Sequence, residues 1–165
     1  EVKLMNMFQR EQQLKWALDK VAEEFDYIFI DCPPSLNMLT VNAMVASQGI
    51  IIPMQCEYYA LEGLTALMDI LEQIRASLNP NLQVFGLLRT MYDPRNKLAK
   101  EVSEQLLSHF GDEVYNTIIP RNVRLAEAPS YGAPAMYYDS ASTGAMAYLA
   151  LAGEMIRKEA AQVAL

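Results

Sequence analysis

Short apolar runs alternate along this chain with longer segments of helical periodicity, and the alternation predicts both the elements and the fold class. Four runs predict strands: YIFID at 27–31, GIIIPM at 49–54, LQVFGLL at 82–88 and EVYNTII at 113–119. Strands that are apolar on both faces are typical of a parallel sheet covered by helices. The sequence therefore predicts an α/β fold with a mainly parallel sheet and helices on both faces.

The segments between these runs carry apolar residues at a spacing of three and four, which predicts helices. The predicted helices run from Leu4 to Glu24 or Phe25, from Ser35 or Asn37 to about Ser47, from Tyr58 to Leu78, from Lys97 to Phe110, and onward from near Ser142. Gly111 is the expected stop of the fourth helix, and residues 120–139 are expected to be irregular. With no repeat or linker in the sequence, one domain is predicted over residues 1–165.

Composition narrows the classes of function. At 52% hydrophobic and 20% charged residues, a chain of 165 residues can bury a sizeable core. A net charge of -7 makes the surface as a whole a poor partner for polyanions, so any contact with nucleic acid must be a local basic patch. Cys32 and Cys56 show neither disulfide nor zinc spacing, which fits a reduced, cytoplasmic protein. No apolar run reaches the roughly 18 to 20 residues that would cross a bilayer.

The ends of the predicted strands are the candidate functional site, because ligands of parallel α/β sheets bind outside the carboxyl ends of the strands. Those ends are Asp31, Pro53 to Glu57, Thr90 to Asp93 and Pro120 to Asn122. An aspartate after an apolar strand is the pattern of a Walker B carboxylate, which holds Mg²⁺ or its bound water beside nucleotide phosphates. A turn or helix cap is the alternative role for such an aspartate.

Four longer segments resemble, in this order and spacing, the ParA/Soj family of partition ATPases. They are FDYIFIDCPPSLNMLTVNAM, IIIPMQCEYYALEGL, TMYDPRNKLAKEV and IIPRNVRLAEAPSYGAPAMYYDSASTGAMAYLALAGEM. The family opens with a phosphate loop of the type KGGVGKT, whereas this sequence has no Gly-rich segment with Lys and Ser or Thr. The chain is thus similar to the C-terminal two thirds of such a protein, with an incomplete deviant-Walker P-loop NTPase fold.

The resemblance implies roles for particular residues. Asp31 would be the Walker B carboxylate and metal ligand, and Pro33 with Pro34 would belong to the switch region that senses the γ-phosphate, with a simple rigid turn as the alternative. The family loops around the adenine base match Thr90, Met91, Asp93, Pro120, Arg121 and Asn122. Arg95 and Arg124 match family positions that contact DNA non-specifically in the ATP-bound dimer, so DNA binding by this chain alone is expected to be weak or absent. Ordinary solvated side chains are the alternative for both.

The function implied by the resemblance is chromosome or plasmid partitioning. Intact family members bind ATP and Mg²⁺, dimerise, coat the DNA of the nucleoid, and hydrolyse ATP when a ParB-type partner stimulates them. Because most of the charge neutralisation around the phosphates comes from the absent loop, we expect this chain alone to hold no nucleotide and to be inactive. Family topology also implies a missing strand between 27–31 and 49–54, and open strand edges predict self-association.

Two alternatives to a partition ATPase stay open. The first is a non-catalytic assembly or interaction module that derives from a ParA protein and pairs with an intact relative. The second is a MinD-like membrane-cycling ATPase. Such relatives end in a basic amphipathic helix, whereas the tail RKEAAQVAL has few cations and no aromatic anchor, so no stable membrane association is expected.

Overall fold

The computed structural model of the chain describes residues 2–33 and 35–163. Two compact units form, one from Glu1–Ile50 with Thr65–Phe85 and the other from Ile51–Leu64 with Gly86–Leu165. The sheet has three strands, β1 (Gly49–Gln55), β2 (Gln83–Tyr92) and β3 (Val114–Pro120), in the order β1-β2-β3, and β2 pairs with β3 in parallel. The predicted α/β fold with a parallel sheet is confirmed. One domain over residues 1–165 stays a prediction.

Eight α-helices lie in the described part of the chain. They are α1 (Val2–Met5), α2 (Gln13–Leu18), α3 (Met38–Ala46), α4 (Ala60–Ser77), α5 (Lys97–Phe110), α6 (Val123–Glu127), α7 (Ala135–Tyr138) and α8 (Thr143–Val163). Four of them match predicted helices, and α5 matches to the residue. Asn96 explains the start of α5, because its side chain accepts hydrogen bonds from the N–H groups of Leu98 and Ala99. Gly111 follows the helix at φ 43°, a conformation that favours glycine.

The predicted continuous helix from Leu4 to Phe25 is wrong. This segment holds α1, a 3₁₀ helix at Arg10–Gln12, α2 and a second 3₁₀ helix at Ala22–Glu24. Gln9 adopts a left-handed conformation at φ 46°, which interrupts any helix there. Short helices are marginal on their own, so the break leaves pieces that depend on packing against α3.

Two asparagine side chains hold the first unit together. Asn42 in α3 is buried, and its Oδ1 accepts a hydrogen bond from the Leu14 N–H at 3.1 Å. Its Nδ2 donates to the carbonyl of Arg10 at 2.8 Å. Asn79, after α4, donates in the same way to the carbonyls of Met44 and Ser47. Because buried backbone groups need partners, these amides fix the N-terminal segment and the turn after α4 to α3.

The predicted strand YIFID at 27–31 is wrong as well, because residues 25–33 take no part in the sheet. Phe25, Tyr27, Ile28 and Phe29 are exposed, and the Tyr27 and Phe29 rings lie 6.4 Å apart on the same side of the extended backbone. A strand exists only through ladder hydrogen bonds to a neighbour. Residues 25–33 form no strand, and the side chains of Phe25, Ile28 and Phe29 remain exposed.

The second unit has its core where α8 packs against β3. Leu88, Tyr115, Ile119 and Leu151 form one buried cluster, and Cys56, Ala99 and Val102 form another beside α5. Residues 120–139, predicted to be irregular, contain α6, α7 and a 3₁₀ helix at Ala128–Tyr131. Within the described ranges, no helix has both the length and the apolar character that a membrane span requires.

A bulge in β3 is held by two buried charged side chains. Leu87 pairs with Val114 and Arg89 with Ile118, so extra residues of β3 bulge between these pairs. Arg89 donates from Nη2 to the carbonyl of Tyr115 at 2.9 Å and from Nη1 to the Ser103 hydroxyl at 3.0 Å. Burial lowers the pKa of Arg89. Among the described residues, the Arg89 Nε is buried without a hydrogen-bond partner.

Glu154 in α8 supplies the opposite charge. Its carboxylate accepts hydrogen bonds from the backbone N–H groups of Asn116 at 2.7 Å and Thr117 at 2.8 Å. It also accepts from the Thr117 hydroxyl at 2.6 Å and from the Asn116 amide at 3.3 Å. Burial raises the pKa of Glu154, but the hydrogen bonds from Thr117 and Asn116 outweigh it and leave the pKa below its ordinary value. Glu154 therefore ties α8 to β3 as a carboxylate.

Candidate functional site

Three of the four predicted strand ends meet at one cavity in the second unit. The cavity has a volume of about 170 Å³. Its walls come from the ends of β1 and β2, the start of α5 and the residue after β3: Gln55, Cys56, Glu57, Met91, Tyr92, Asp93, Asn96, Ala99 and Arg121. Asn96 and Ala99 were not predicted. The motif DPRNK carried the signal, because an asparagine cap so soon after β2 brings the first turn of α5 to the strand end.

The end of β2 is strained where it borders the cavity. Met91 has φ 52°, a left-handed conformation that is uncommon for a non-glycine residue. Such a residue costs about 1 to 3 kcal/mol and persists only where its surroundings hold it. Thr90 donates from its hydroxyl to the Met54 carbonyl at 3.4 Å, and the Arg121 N–H donates to the Tyr92 carbonyl at 3.1 Å. These hydrogen bonds join all three strand ends around the cavity.

Asp93 and Arg95 form a two-point ion pair at the cavity. Arg95 Nη2 lies 2.7 Å from Asp93 Oδ2, and Arg95 Nε lies 3.0 Å from Asp93 Oδ1. The Arg95 N–H also donates to Asp93 Oδ1. Side-chain and backbone hydrogen bonds from Arg95 lower the pKa of Asp93 to about 2, and the charge of Arg121 adds to the shift. Asp93 is therefore ionised at neutral pH.

The remaining walls are polar at the rim and apolar at the floor. Glu57 and Arg121 are exposed, whereas Cys56 and Ala99 are buried. Burial raises the pKa of the Cys56 thiol even though Arg89 opposes the shift, so the thiol is neutral. The Asn96 carbonyl oxygen is occupied by its capping hydrogen bonds to α5. The charged groups at the rim and the side chain of Met91 are among the groups that can contact a ligand.

Pro120, Asn122 and Arg124 follow the cavity along the chain. Pro120 pairs in register with Tyr92, and Asn122 caps α6 by accepting from the N–H groups of Arg124 and Leu125. The Asn122 amide also donates to the Thr143 hydroxyl at 2.8 Å. Thr90, Pro120 and Asn122 thus shape the strand ends without lining the cavity, unlike Met91, Asp93 and Arg121.

Asp31 and Pro33 lie in the first unit, in the exposed irregular stretch that was predicted to end a strand. Neither residue lines the cavity, and Pro34 falls outside the described residues. Across the described ranges, no three His, Cys, Asp or Glu side chains are grouped so that they could hold a metal ion. Mg²⁺ is usually bound by one or two carboxylates together with phosphates of the substrate, so Asp31 alone would need such a partner.

The cavity fits part of an ATP molecule. Pockets that enclose a drug-sized ligand measure roughly 300 to 1,000 Å³, so a cavity of about 170 Å³ suits a flat base better than a whole nucleotide. A triphosphate needs consecutive backbone N–H groups and a lysine to balance its charge. Of the rim groups, Glu57 and Asp93 carry negative charge and Arg121 positive charge. The lining residues therefore fit the base and do not fit the phosphates.

The sequence matches a known family and several named proteins. The family described as "AAA domain" matches residues 1–84. A protein of Pseudomonas putida described as uncharacterized is 61% identical over 159 residues, which are 96% of this chain and 60% of that protein. "Chromosome partitioning protein ParA" of Caulobacter vibrioides is 49% identical over 161 residues, or 96% of this chain and 60% of that protein. "Sporulation initiation inhibitor protein Soj" of Bacillus subtilis is 50% identical over 155 residues, or 94% and 61%.

The fold also matches solved structures. Cobyrinic acid a,c-diamide synthase from Mycobacterium smegmatis, with bound ATP analog and magnesium, superposes with a TM-score of 0.67 at 31% identity. That match covers 80% of this chain and 59% of the synthase. The cell division ATPase MinD of Pyrococcus furiosus reaches a TM-score of 0.71 at 23% identity over 89% of this chain and 58% of its own, which supports the fold alone. This chain spans about three fifths of the length of the three relatives named above.

Proposed function

Since this chain belongs to the ParA/Soj family of AAA-domain proteins, we propose that its cavity is the base-binding part of the nucleotide site of a chromosome-partitioning ATPase. The observation that carries the proposal is the meeting of three strand ends around a cavity of about 170 Å³. Parallel α/β sheets bind ligands at this edge. The 31% identical synthase that holds an ATP analog and magnesium supports a nucleotide as the ligand.

Different lining residues would contact different parts of a bound base. Ala99 and Cys56 form an apolar floor, and the Met91 side chain offers a polarisable surface to a flat ring. Arg121 is exposed at the rim and can stack its planar guanidinium on the base. Asp93 can accept a hydrogen bond from an exocyclic amino group, which favours adenine over a base that presents only carbonyls. Thr90, Pro120 and Asn122 do not line the cavity, but they would position the lining residues by shaping the ends of β2 and β3.

The lining residues of the cavity provide no site for the phosphates or the metal ion. In the first unit, Asp31 would be the Walker B carboxylate that holds Mg²⁺ or its bound water, and Pro33 would belong to the segment that responds to the γ-phosphate. When bound, the ion supplies charge neutralisation for phosphoryl transfer. Because the lining residues do not fit a triphosphate, the chain of 165 residues on its own would bind ATP no better than adenosine and would not hydrolyse it.

The proposed cellular role is segregation of chromosomes or plasmids in the cytoplasm, on the nucleoid. Arg95 and Arg124 would contact DNA phosphates without reading sequence, in keeping with the excess of acidic residues elsewhere. A ParB-type protein would be the partner that stimulates hydrolysis. A second copy of the chain would be a further partner, because intact members of the family act as dimers.

Titration of adenosine and ATP, followed by nuclear magnetic resonance, tests the base site. The expectation from the sequence is that the chain alone holds no nucleotide, whereas the cavity predicts weak binding of both ligands through the base, in the millimolar range, which corresponds to about 4 kcal/mol. Ala99→Leu fills the floor of the cavity and should abolish binding, and Arg121→Ala should weaken it several-fold. Arg157→Ala removes an exposed arginine of α8 that does not line the cavity, and should change nothing. Equal affinity in all three variants would refute the proposed base site.

A non-catalytic interaction module is the second candidate function, and the exposed apolar segment favours it. Phe29 is 73% exposed and Phe25 59% exposed, within an irregular stretch that takes no part in the sheet. Such a segment is a ready template for strand pairing with another chain. Light scattering tests this candidate. A concentration-dependent dimer that Phe29→Lys dissociates would support it, and a monomer at all concentrations would contradict it.

A further inference from the structure

The two arginines proposed to contact DNA are both held by carboxylates of the same unit. Arg95 pairs with Asp93, and Arg124 pairs with Glu127 and Asp139. Arginine is suited to phosphate because its planar fork presents two parallel N–H donors to two oxygens. A carboxylate has the same two-oxygen geometry. Each pair therefore engages two nitrogens of its guanidinium, and it places a carboxylate charge next to the arginine that a DNA phosphate would approach.

The Arg95 pair is at the surface, where a phosphate could reach it. The Arg95 side chain is 89% exposed, and both its Nε and one Nη are directed at Asp93. Asp93 also accepts the Arg95 backbone N–H, so the loop geometry brings the carboxylate and the guanidinium together before any ligand binds. The low pKa of Asp93 agrees with a pair that persists at neutral pH.

Arg124 is also held by ion pairs at the surface, in this case with two carboxylates. Arg124 Nη1 lies 2.9 Å from Glu127 Oε2, and Arg124 Nε lies 3.3 Å from Asp139 Oδ2. The Tyr138 hydroxyl donates to the same Glu127 oxygen at 3.1 Å and holds the carboxylate in place. Hydrogen bonds from Arg124 and then Tyr138 lower the pKa of Glu127, so it too is ionised at neutral pH.

We propose that Asp93 and Glu127 determine the DNA affinity of this protein by competing with DNA phosphates for Arg95 and Arg124. The inference rests on the proposed function, because it assumes that these arginines contact DNA. When DNA binds, each arginine then exchanges its carboxylate partner for a phosphate. An arginine without such a partner would simply neutralise the phosphate. The exchange leaves the carboxylate next to the phosphate, and their repulsion opposes binding.

The expected size of the effect is modest because the pairs are exposed. Exposed ion pairs contribute little in water, and removing such a competitor should raise affinity by about 2- to 5-fold for each pair at low salt. Asp93→Asn keeps an oxygen that can accept the Arg95 N–H, so the loop should keep its conformation. Glu127→Gln likewise keeps one oxygen for the Tyr138 hydroxyl.

Binding of the full chain to double-stranded DNA of mixed sequence, measured by fluorescence anisotropy at low salt, tests the inference. The variants are Asp93→Asn, Glu127→Gln, Arg95→Ala and the double variant Asp93→Asn with Arg95→Ala. Glu104→Gln is the matched control, because it removes one negative charge from the exposed face of α5. We expect Asp93→Asn and Glu127→Gln to bind 2- to 5-fold tighter than the wild type, about the gain estimated for an exposed pair.

The double variant separates competition from a general charge effect. The gain from Asp93→Asn should vanish when Arg95 is alanine, and Glu104→Gln should bind like the wild type. The inference is overturned if Asp93→Asn gives no gain, or if the gain persists without Arg95 or is matched by Glu104→Gln. If Arg95→Ala weakens DNA binding and Asp93→Asn leaves it unchanged, competition by Asp93 is refuted. The proposed contact between Arg95 and DNA would still stand. Absence of DNA binding in every variant would refute both.

Discussion

Replacing Glu154 with glutamine removes the charge that ties α8 to β3 and changes the shape of the side chain little. Two of its four hydrogen bonds go to Oε1, from the backbone and amide of Asn116, and two go to Oε2, from the backbone and hydroxyl of Thr117. Glutamine offers one oxygen in place of two. Its NH₂ group must then face one set of N–H donors, so at least one backbone N–H loses its acceptor.

The expected cost follows from those contacts. Hydrogen bonds to a charged group are worth about 1.5 to 3 kcal/mol each, and neutral ones about 1 kcal/mol. Losing the partner of one backbone N–H and weakening the others gives a loss of about 2 to 3 kcal/mol in the free energy of unfolding. Glu154→Ala removes all four hydrogen bonds and should cost about 3 to 5 kcal/mol, the range for breaking a buried charged network.

Urea unfolding followed by circular dichroism measures this loss. With a slope of about 1 to 3 kcal/mol per molar urea, the midpoint of Glu154→Gln should fall by about 1 M. Glu104→Gln makes the same change of charge on α5, where Glu104 is exposed, and should stay within about 0.5 kcal/mol of the wild type. If Glu154→Gln unfolds at the same urea concentration as Glu104→Gln, the carboxylate is not what holds α8 to β3.

Three further predictions concern pH, the first unit and the glycines. Glu154 has a lowered pKa, so its stabilisation is complete above the ordinary pKa of a glutamate and is lost as pH falls through the lower pKa of the folded state. Wild type and Glu154→Gln should therefore converge in stability below pH 4, and a constant difference would contradict the shift. Asn42→Ala leaves the Leu14 N–H without its acceptor, and hydrogen exchange should show residues 10–18 exchanging faster while α5 is unchanged. Gly111→Ala, at φ 43°, should lose about 1 kcal/mol in thermal melts, whereas Gly63→Ala within α4 should gain about 0.5 to 1 kcal/mol; the reverse order would refute this reasoning.

Elements with local signals could be predicted from the sequence. The bounds of α5 follow from the Asn96 cap, the helical spacing and Gly111, all of which act within a few residues. The start of α8 follows in the same way from Ser142, whose hydroxyl accepts the Ala145 N–H. These signals are physical interactions between neighbours in the chain, so no knowledge of the tertiary structure is needed to see them.

Elements that depend on distant partners could not be predicted in this way. YIFID has strand propensity, but a strand needs a neighbour, and local pattern cannot show whether one is present. The N-terminal helix fails at Gln9, whose left-handed conformation leaves no mark in an apolar pattern. Arg89 and Glu154 had a signal that was missed. Each directly follows a run without charged residues, in VFGLLR and AMAYLALAGE, and a charge that is buried there requires a partner.

At the candidate site too, some residues could be predicted from the sequence and others could not. The rule that ligands bind at strand ends identified Met91, Asp93 and Arg121, which line the cavity. Asp31 does not line the cavity, and the strand that was predicted to end at it does not form. Its role as a metal ligand stays a prediction. Asn96 and Ala99 had a local signal that was missed, because the asparagine cap in DPRNK starts α5 soon after β2 and brings its first turn to the cavity.

The position of a bound base tests the central claim most directly. With adenosine added at a saturating, millimolar concentration, nuclear Overhauser effects between the base protons and protein methyl groups can be measured on the full chain. The account predicts contacts from the base to the Met91 and Ala99 methyl groups, which line the cavity, and none to the Ala145 methyl group, which is buried in α8. Contacts at any other place on the protein, or no contacts at saturation, would contradict it.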